Sequence, residues 1–382
     1  PYSEAATGRS DAKYDSQKDI YAAVFKELTE AAAALNSNKA DQAAYKDNQD
    51  LIYNGDLKKW VRLANSLRLR YALRLVYVDP ALAKQEGEAA LAATGGLLQS
   101  NDDNAGVYIS GTGANGWPLF QISGWGEFCM SKTMEDMLKT TSSVADPRMP
   151  LWFGHTNGST AENPEFKGIP NGLATSDLSN YPADDRSYVW GLQAMPGWNS
   201  KNNSESSFCV PIRQKVMSYA EVCLLKAEAA LRGWNGAGDA KANYLAGIKA
   251  SFEAERAMVS DASLYSTAND NTYMTTGKVE WKGDADFETH LEQIITQKWL
   301  ALYPNGTEAW TEFRRTGYPK LTPVKVSMES TINAANGEFV KKLRYVDDEL
   351  RENPNASDKS LNGGKGDGMN VRVWWDAGNR YK

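Results

Sequence analysis

The stretch QKWLALYPNGTEAWTEFRRTGYPKL (297–321) crowds carboxylates, guanidiniums and indoles around one turn. On a helix over 307–315, Glu308, Glu312 and Arg315 share a face, and Trp310, Phe313 and Arg314 lie nearer another. Two carboxylates at this spacing suggest glycoside hydrolysis, in which retaining enzymes hold theirs ~5 Å apart. That chemistry needs the groups on opposite sides of the scissile bond, whereas one helix face directs both the same way. The glutamates would also repel unless cations stand between them. Arg314, Arg315 and the arginines of 56–77 provide that charge. The cluster therefore reads as a structural ion network beside a Trp299/Trp310 core, with Glu308, Glu312, Arg314 and Arg315 mostly paired inside the helical scaffold.

Other chemistry is sparse. Only two histidines, His155 and His290, are present, which removes most general-base and metal-ligand arrangements. Cys129, Cys209 and Cys223 form no CxxC pair, so neither zinc nor a disulfide framework is expected. No G-x-S-x-G or HExxH motif occurs, and the chain is read as no enzyme. Gly111, Gly113 and Gly116 of GTGANG satisfy a dinucleotide-type spacing. Trp117-Pro118 follows where a helix should open, so a loop presenting Trp117 is the better reading. Asp102-Asp103-Asn104 and Asp358…Asp367 are fragments of oxygen-rich loops without EF-hand spacing. No cofactor is expected, a structural calcium being the one ion such fragments would admit.

Lys and Arg total 42 against 48 Asp and Glu, a formal charge of −6. The basic stretch 56–77 (Lys58, Lys59, Arg62, Arg68, Arg70, Arg74) carries its charges all round a helix. In an acidic chain this argues for arginines reaching carboxylates on neighbouring helices and against nucleic acid.

The elements that must position these groups are mainly helical. Apolar periodicity predicts helices over 15–35, 56–77, 80–93, 132–139, 218–232, 239–258, 285–303 and 307–315. In the second, Trp60, Ala64, Leu67 and Tyr71 form the apolar stripe. Asn305-Gly306 would stop one helix and Thr307 would cap the next. The pair 218–258, with small residues Ala227, Ala229, Ala230, Ala242 and Ala246 at close-packing positions, has the size of a tetratricopeptide unit. A single domain over 1–382 is expected. Its scaffold is 1–93 and 218–321, a loop-rich excursion spans 94–217, and an irregular tail runs from 322 to 382 with a β-like VRVWWD at 371–376. The rest carries little β structure. Excursions of that length are usually functional, and this one is too aromatic to be simply disordered.

Several stretches together resemble the SusD/RagB family in its SusD-like branch. They are PYSEA (1–5), KYDSQKDIY (13–21), IYNGDLKKWVRLANSLRLRYALR (52–74), DPR (146–148), SYAEVCLLKAEAALRGW (218–234), the 297–321 stretch and VWWD (373–376). The resemblance runs end to end in the family's order. NSLRLR and EAWTEFRRTGYP are its specific strings. LRYVDDELRENPN (343–355) departs from the pattern, where a Tyr-Pro followed by an Asn is expected. The resemblance implies a lipid-anchored protein on the extracellular face of the outer membrane. It would form a lid on a SusC-like TonB-dependent transporter and deliver oligosaccharides for uptake. It also implies that earlier helices and a lipidated cysteine precede PYSEA.

No family motif places the ligand contacts, so they are placed by physics. Aromatic faces stack on sugar rings while nearby polar groups orient them, and loops on a rigid scaffold collect such groups. Trp117, Trp125, Trp152, Tyr181, Tyr188, Trp190 and Trp198 are the candidates, with Asp185, Arg186 and Asn199 as polar neighbours. Two or three of the aromatics, in order of magnitude, are expected to touch ligand. Peptide is the rival ligand, and a protein-interaction scaffold without a small ligand is the rival function.

Overall fold

A computed structural model describes residues 2–37, 49–109, 128–160, 162–189, 212–258, 265–356, 362 and 364–382. Among these, the long helices are α1 (Gln17–Ser37), α2 (Leu57–Arg74), α3 (Pro80–Leu91), α6 (Tyr219–Leu231), α7 (Ala240–Arg256), α9 (Phe287–Ala301) and α10 (Gly306–Thr316). Shorter ones are α4 (Lys132–Thr140), α5 (Met149–Trp152), α8 (Asp270–Thr275) and α11 (Asp347–Glu352). Periodicity placed α1–α4, α6, α7, α9 and α10 close to these bounds. The three it missed, α5, α8 and α11, are at most six residues long and too short to show a period.

Each scaffold helix opens on a side chain that accepts from its free backbone N–H groups: Asp56 for α2, Asp79 for α3, Ser218 for α6, Asp239 for α7, Asp286 for α9 and Asn305 for α10. Such a cap is worth roughly 0.5–2 kcal/mol. The cap of α10 corrects the sequence reading. Asn305 Oδ1 takes the Glu308 N–H at 3.2 Å, two residues earlier than a Thr307 cap would place the start, and Gly306 is already helical.

The helices pack as antiparallel hairpins, α1 on α2, α2 on α3 and α6 on α7, with α9 across α6 and α7. This is the tetratricopeptide-like scaffold expected. In the α6/α7 hairpin a close approach is made at Gly247, where a Cβ would come within 2.6 Å of Leu224 Cγ. Ala242, expected at such a position, is exposed. Helix α2 is buried nearly all round. Val61, Leu63, Leu69, Ala72 and Leu73 carry its core face, and Trp60, Leu67 and Tyr71 are only half-buried.

Two strands, β1 (Ala105–Ile109) and β2 (Ile212–Met217), pair antiparallel into a ribbon. They bracket the excursion and bring its two ends together. The 371–376 stretch is not a strand. Trp375 is instead buried in the main core beside α2.

The tail wraps α10. Phe313, Phe339 and Tyr381 form an aromatic triangle with centroids 4.8–6.1 Å apart. Gly317 ends the helix at φ +71°, and a Cβ there would lie 2.5 Å from the Arg380 carbonyl oxygen. Gly317→Ala therefore meets both a disfavoured backbone conformation and a backbone clash. A loss of roughly 1–3 kcal/mol is expected in urea titration, and an unchanged midpoint would count against this packing.

Candidate functional site

The cluster that opened the sequence reading is interior. Arg315, fully buried, places both terminal nitrogens on Glu228 at 2.6 and 2.7 Å and one on Glu312 at 2.5 Å. Lys298 Nζ stands 3.2 Å from Glu312, and Arg74 pairs with Glu308. Arg70 forks onto Glu221 at 2.6 and 2.7 Å. Arg62 and Arg68 of the same basic helix reach Asp103 and Glu86. Burial alone would raise the carboxyls of Glu312, Glu308 and Glu228, yet the guanidiniums and the ammonium beside them hold all three below the usual range. Every charge that could suggest acid–base work is spent on another helix. Arg314 is the exception. It lies 3.6 Å from the Trp310 ring and donates to the Lys341 carbonyl at 2.8 Å, so it holds the tail and not a scaffold carboxylate. Trp299 packs elsewhere, with Tyr303, so there is no joint Trp299/Trp310 core.

The described part of the excursion is irregular but not loose. Single backbone bonds join four segments side by side: Met130 N–H to Ser187 O, Ile169 N–H to Met130 O, Gly154 N–H to Tyr188 O and Thr156 N–H to Glu165 O, at 2.7–3.0 Å. Beneath this belt lies an apolar core of Met130, Leu138, Met149, Leu151, Phe153 and Leu300. Arg148 rivets the belt to the scaffold. It forks onto Asp146 at 2.6 and 2.9 Å, donates to Ser251 Oγ of α7 at 2.9 Å and to Gln297 Oε1 of α9 at 3.1 Å.

Trp152 and Tyr188, expected as ligand faces, are interior residues, 2% and 4% exposed. Trp152 packs tilted against Tyr303, ring centroids 4.6 Å apart, and donates Nε1–H to Glu255 at 2.9 Å. Its donor and its face are both used in packing, because α5 turns it inward. Tyr181 is half-buried, and its carbonyl accepts from Arg186 Nε at 2.7 Å. Asp185 is exposed and takes Lys167 Nζ at 2.6 Å. Trp117, Trp125, Trp190, Trp198 and Asn199 lie outside the described residues, as does the GTGANG motif.

Tyr181, Asp185 and Arg186 form a polar shoulder on the outer side of the belt. Residues the sequence reading did not choose complete it. Asn157 Nδ2 donates to Asp184 at 3.0 Å, and His155 Nδ1 lies 3.1 Å from Ser159 Oγ. These sit in Gly- and Asn-rich runs without period, so residue type was their only signal. Hydrogen bonds to Asp185, then to Glu165, push the exposed Lys167 ammonium up. A half-open tyrosine edge beside carboxylates, amides and a lysine is suited to a hydroxyl-rich ligand.

A second feature is a cavity of about 520 Å³ at the foot of the β1/β2 ribbon, where α2, α6 and α7 meet it. The Asp102-Asp103 fragment lies beside it. Asp103 gives its carboxylate to Arg62 and to the Gln99 N–H. Among the described residues no group of three acidic, histidine or cysteine side chains is arranged to hold a metal ion, and no helix is long and apolar enough to cross a membrane.

Comparison with known proteins gives the class. The model of SusD-like proteins, described as SusD and RagB outer membrane lipoproteins, matches residues 1–376, and the chain belongs to that family. A chitin-binding SusD homologue from Flavobacterium johnsoniae is 35% identical, with a TM-score of 0.79 over 98% of this chain and 76% of that one. A SusD homologue from Bacteroides vulgatus is 29% identical, with a TM-score of 0.78 over 100% of this chain and 75% of that one. A further structure described as a chitin-binding protein is 30% identical, with a TM-score of 0.75 over 98% of this chain and 76% of that one. No curated protein sequence matches the chain. The family is one of non-catalytic binding proteins, in agreement with a charge cluster that is wholly structural.

Proposed function

We propose that this protein captures oligosaccharides at the outer membrane surface and passes them to a SusC-like TonB-dependent transporter, with no chemistry of its own. The observation that carries this reading is the 35% identity to a chitin-binding homologue along 98% of the chain. The shoulder around Tyr181, Asp184, Asp185 and Arg186 supports it. It lies on an excursion fastened to a rigid scaffold, the arrangement binding loops usually have. The unbranched exterior of a glycan chain offers alternating hydroxyls and C–H faces to such a surface. Structural calcium has no assigned ligands in this reading, and none is invoked.

Isothermal titration against chito-oligosaccharides, other neutral glycans and a peptide panel tests the ligand class. Saturable heats with a glycan series, strengthening with chain length, are expected. Binding confined to peptides would sink the glycan reading, and binding to neither would leave a protein-interaction scaffold. Delivery is tested by co-purification with a SusC-like TonB-dependent barrel from membranes, where a complex is expected.

A further inference from the structure

The cavity at the foot of the ribbon is separate from the shoulder, and its lining is that of a built polar site. Its floor is made of small, deeply buried side chains: Ala105, Met217, Ala220 and Ala301 are each at most 3% exposed. Its volume, about 520 Å³, falls in the ~300–1,000 Å³ range of small-molecule sites. It has no aromatic lining residue, so it is not another stacking platform for an extended chain.

The polar groups around it are balanced and incompletely used. Lys59 and Lys215 face Asp102 and Glu255 across the lining. Lys59 Nζ donates to the Asp102 carbonyl at 2.7 Å, which leaves two of its three N–H groups unassigned. Lys215 Nζ pairs with Glu255 and donates to the Tyr303 carbonyl at 2.8 Å. The Asp102 carboxylate has no partner among the described residues. Ser218 Oγ accepts from the Glu221 N–H and Ser251 Oγ from Arg148. Neither serine gives its own hydroxyl hydrogen to a described protein group. Two buried hydroxyl donors, Lys59 and the Asp102 carboxylate thus surround one cavity, while Lys215 and Glu255 at its wall are largely engaged with each other, with Tyr303 and with Trp152. Asp102 is exposed and Lys59 half-buried, so both stand at the rim, and the two serine hydroxyls are the buried groups with hydrogen-bonding capacity left over.

We propose that this cavity binds one neutral, hydroxyl-rich sugar unit. An anionic ligand would face Asp102 and Glu255, and a cationic one Lys59 and Lys215. A neutral polyol matches donors and acceptors in alternation, and the alanine floor accepts its C–H face. The site stands independently of glycan binding at the shoulder.

The two methionines of the lining make it observable. Methyl-¹³C-methionine spectra of the whole chain are recorded during titration with N-acetylglucosamine and with glucose. Met217 and Met258 are expected to shift saturably, while Met328, 98% exposed, stays still as the reference. Glucuronate and glucosamine are expected to bind at least tenfold more weakly. Ala254→Phe, which fills the cavity from a half-buried position on α7, is expected to abolish the shifts. Lys59→Met is expected to weaken binding several-fold without touching the core. The proposal is overturned if Met217 and Met258 do not move at tens of millimolar neutral sugar. It is overturned equally if they move as well with the charged sugars, or if Ala254→Phe leaves the shifts intact. Because the readout is local to the cavity, loss of oligosaccharide heats at the shoulder would not mimic any of these results.

Discussion

Replacing Arg315 by leucine is expected to remove at least about 3–5 kcal/mol of stability, the usual result of deleting one partner of a buried ion pair. The expectation is at the upper end here. Arg315 is the shared cation of two carboxylates, Glu228 and Glu312, both at most 1% exposed. Without it, Glu228 keeps only Arg232 and Glu312 keeps Lys298 and a distant Arg74. Chemical denaturation measures the loss, and a change under 1 kcal/mol would contradict the buried network. A pH series adds a second readout. The folded carboxyls of Glu228, Glu308 and Glu312 lie below their ordinary range, near 4.3 when unfolded. A depressed carboxylate contributes stability that is fully present above its unfolded pKa and lost as pH falls towards the folded one. The parent protein should therefore lose stability steeply below about pH 4. In Arg315→Leu that slope should flatten, because the unpaired carboxyls already take up protons at higher pH.

Arg148→Met carries the second large effect, with a different spatial signature. Arg148 and Asp146 are fully buried and fork onto each other, while Arg148 also reaches α7 and α9. Its guanidinium lies 5.3 Å from the Trp152 ring and 5.1 Å from Phe252. The substitution keeps the apolar volume and leaves the Asp146 carboxylate buried without its cation, at a cost of about 3–5 kcal/mol. The loss should begin in the excursion. Hydrogen exchange or limited proteolysis is expected to open 128–189 while α6, α7 and α9 stay protected. Uniform opening of the whole chain would show that the excursion is not separately fastened. Arg148→Lys should rescue little, since an ammonium cannot hold Asp146, Ser251 and Gln297 together.

How far the sequence reached is clear from particular residues. Helices longer than about two turns were legible because burial imposes a 3.6-residue period on them. The destination of the α2 arginines was legible too, since charges all round a helix in an acidic protein must meet carboxylates on its neighbours. The ribbon was not. Val107 pairs with Gln214 across a gap that no local pattern bridges, and each strand is at most six residues long. The inward turn of Trp152 was also hidden. Its four-residue helix follows no period, and whether an indole faces core or solvent depends on Glu255, more than a hundred positions away. Asn305 and Thr307 are both good caps, and only the backbone decides between them. At the shoulder, Tyr181, Asp185 and Arg186 were chosen by residue type. His155, Asn157 and Asp184 beside them have the same types and were passed over, because nothing in the chain order shows that they are neighbours.

The contacts of the tail with the first residues have a consequence for the order in which the chain can fold. Tyr14 OH donates to Glu349, Asn353 Nδ2 to the Ala12 carbonyl at 3.0 Å, and the Trp374 N–H to Gln17 at 3.0 Å, the last across 357 positions. The ion pair of Arg74 with Glu308 spans 234. Helix α2 carries four arginines, and three of the four carboxylates that neutralise them, Asp103, Glu221 and Glu308, come well after it in the chain. Until those arrive, the charged faces favour water over burial. A topology so rich in distant pairs closes slowly, and here the charges of α2 are balanced only once segments from both ends of the described chain have met.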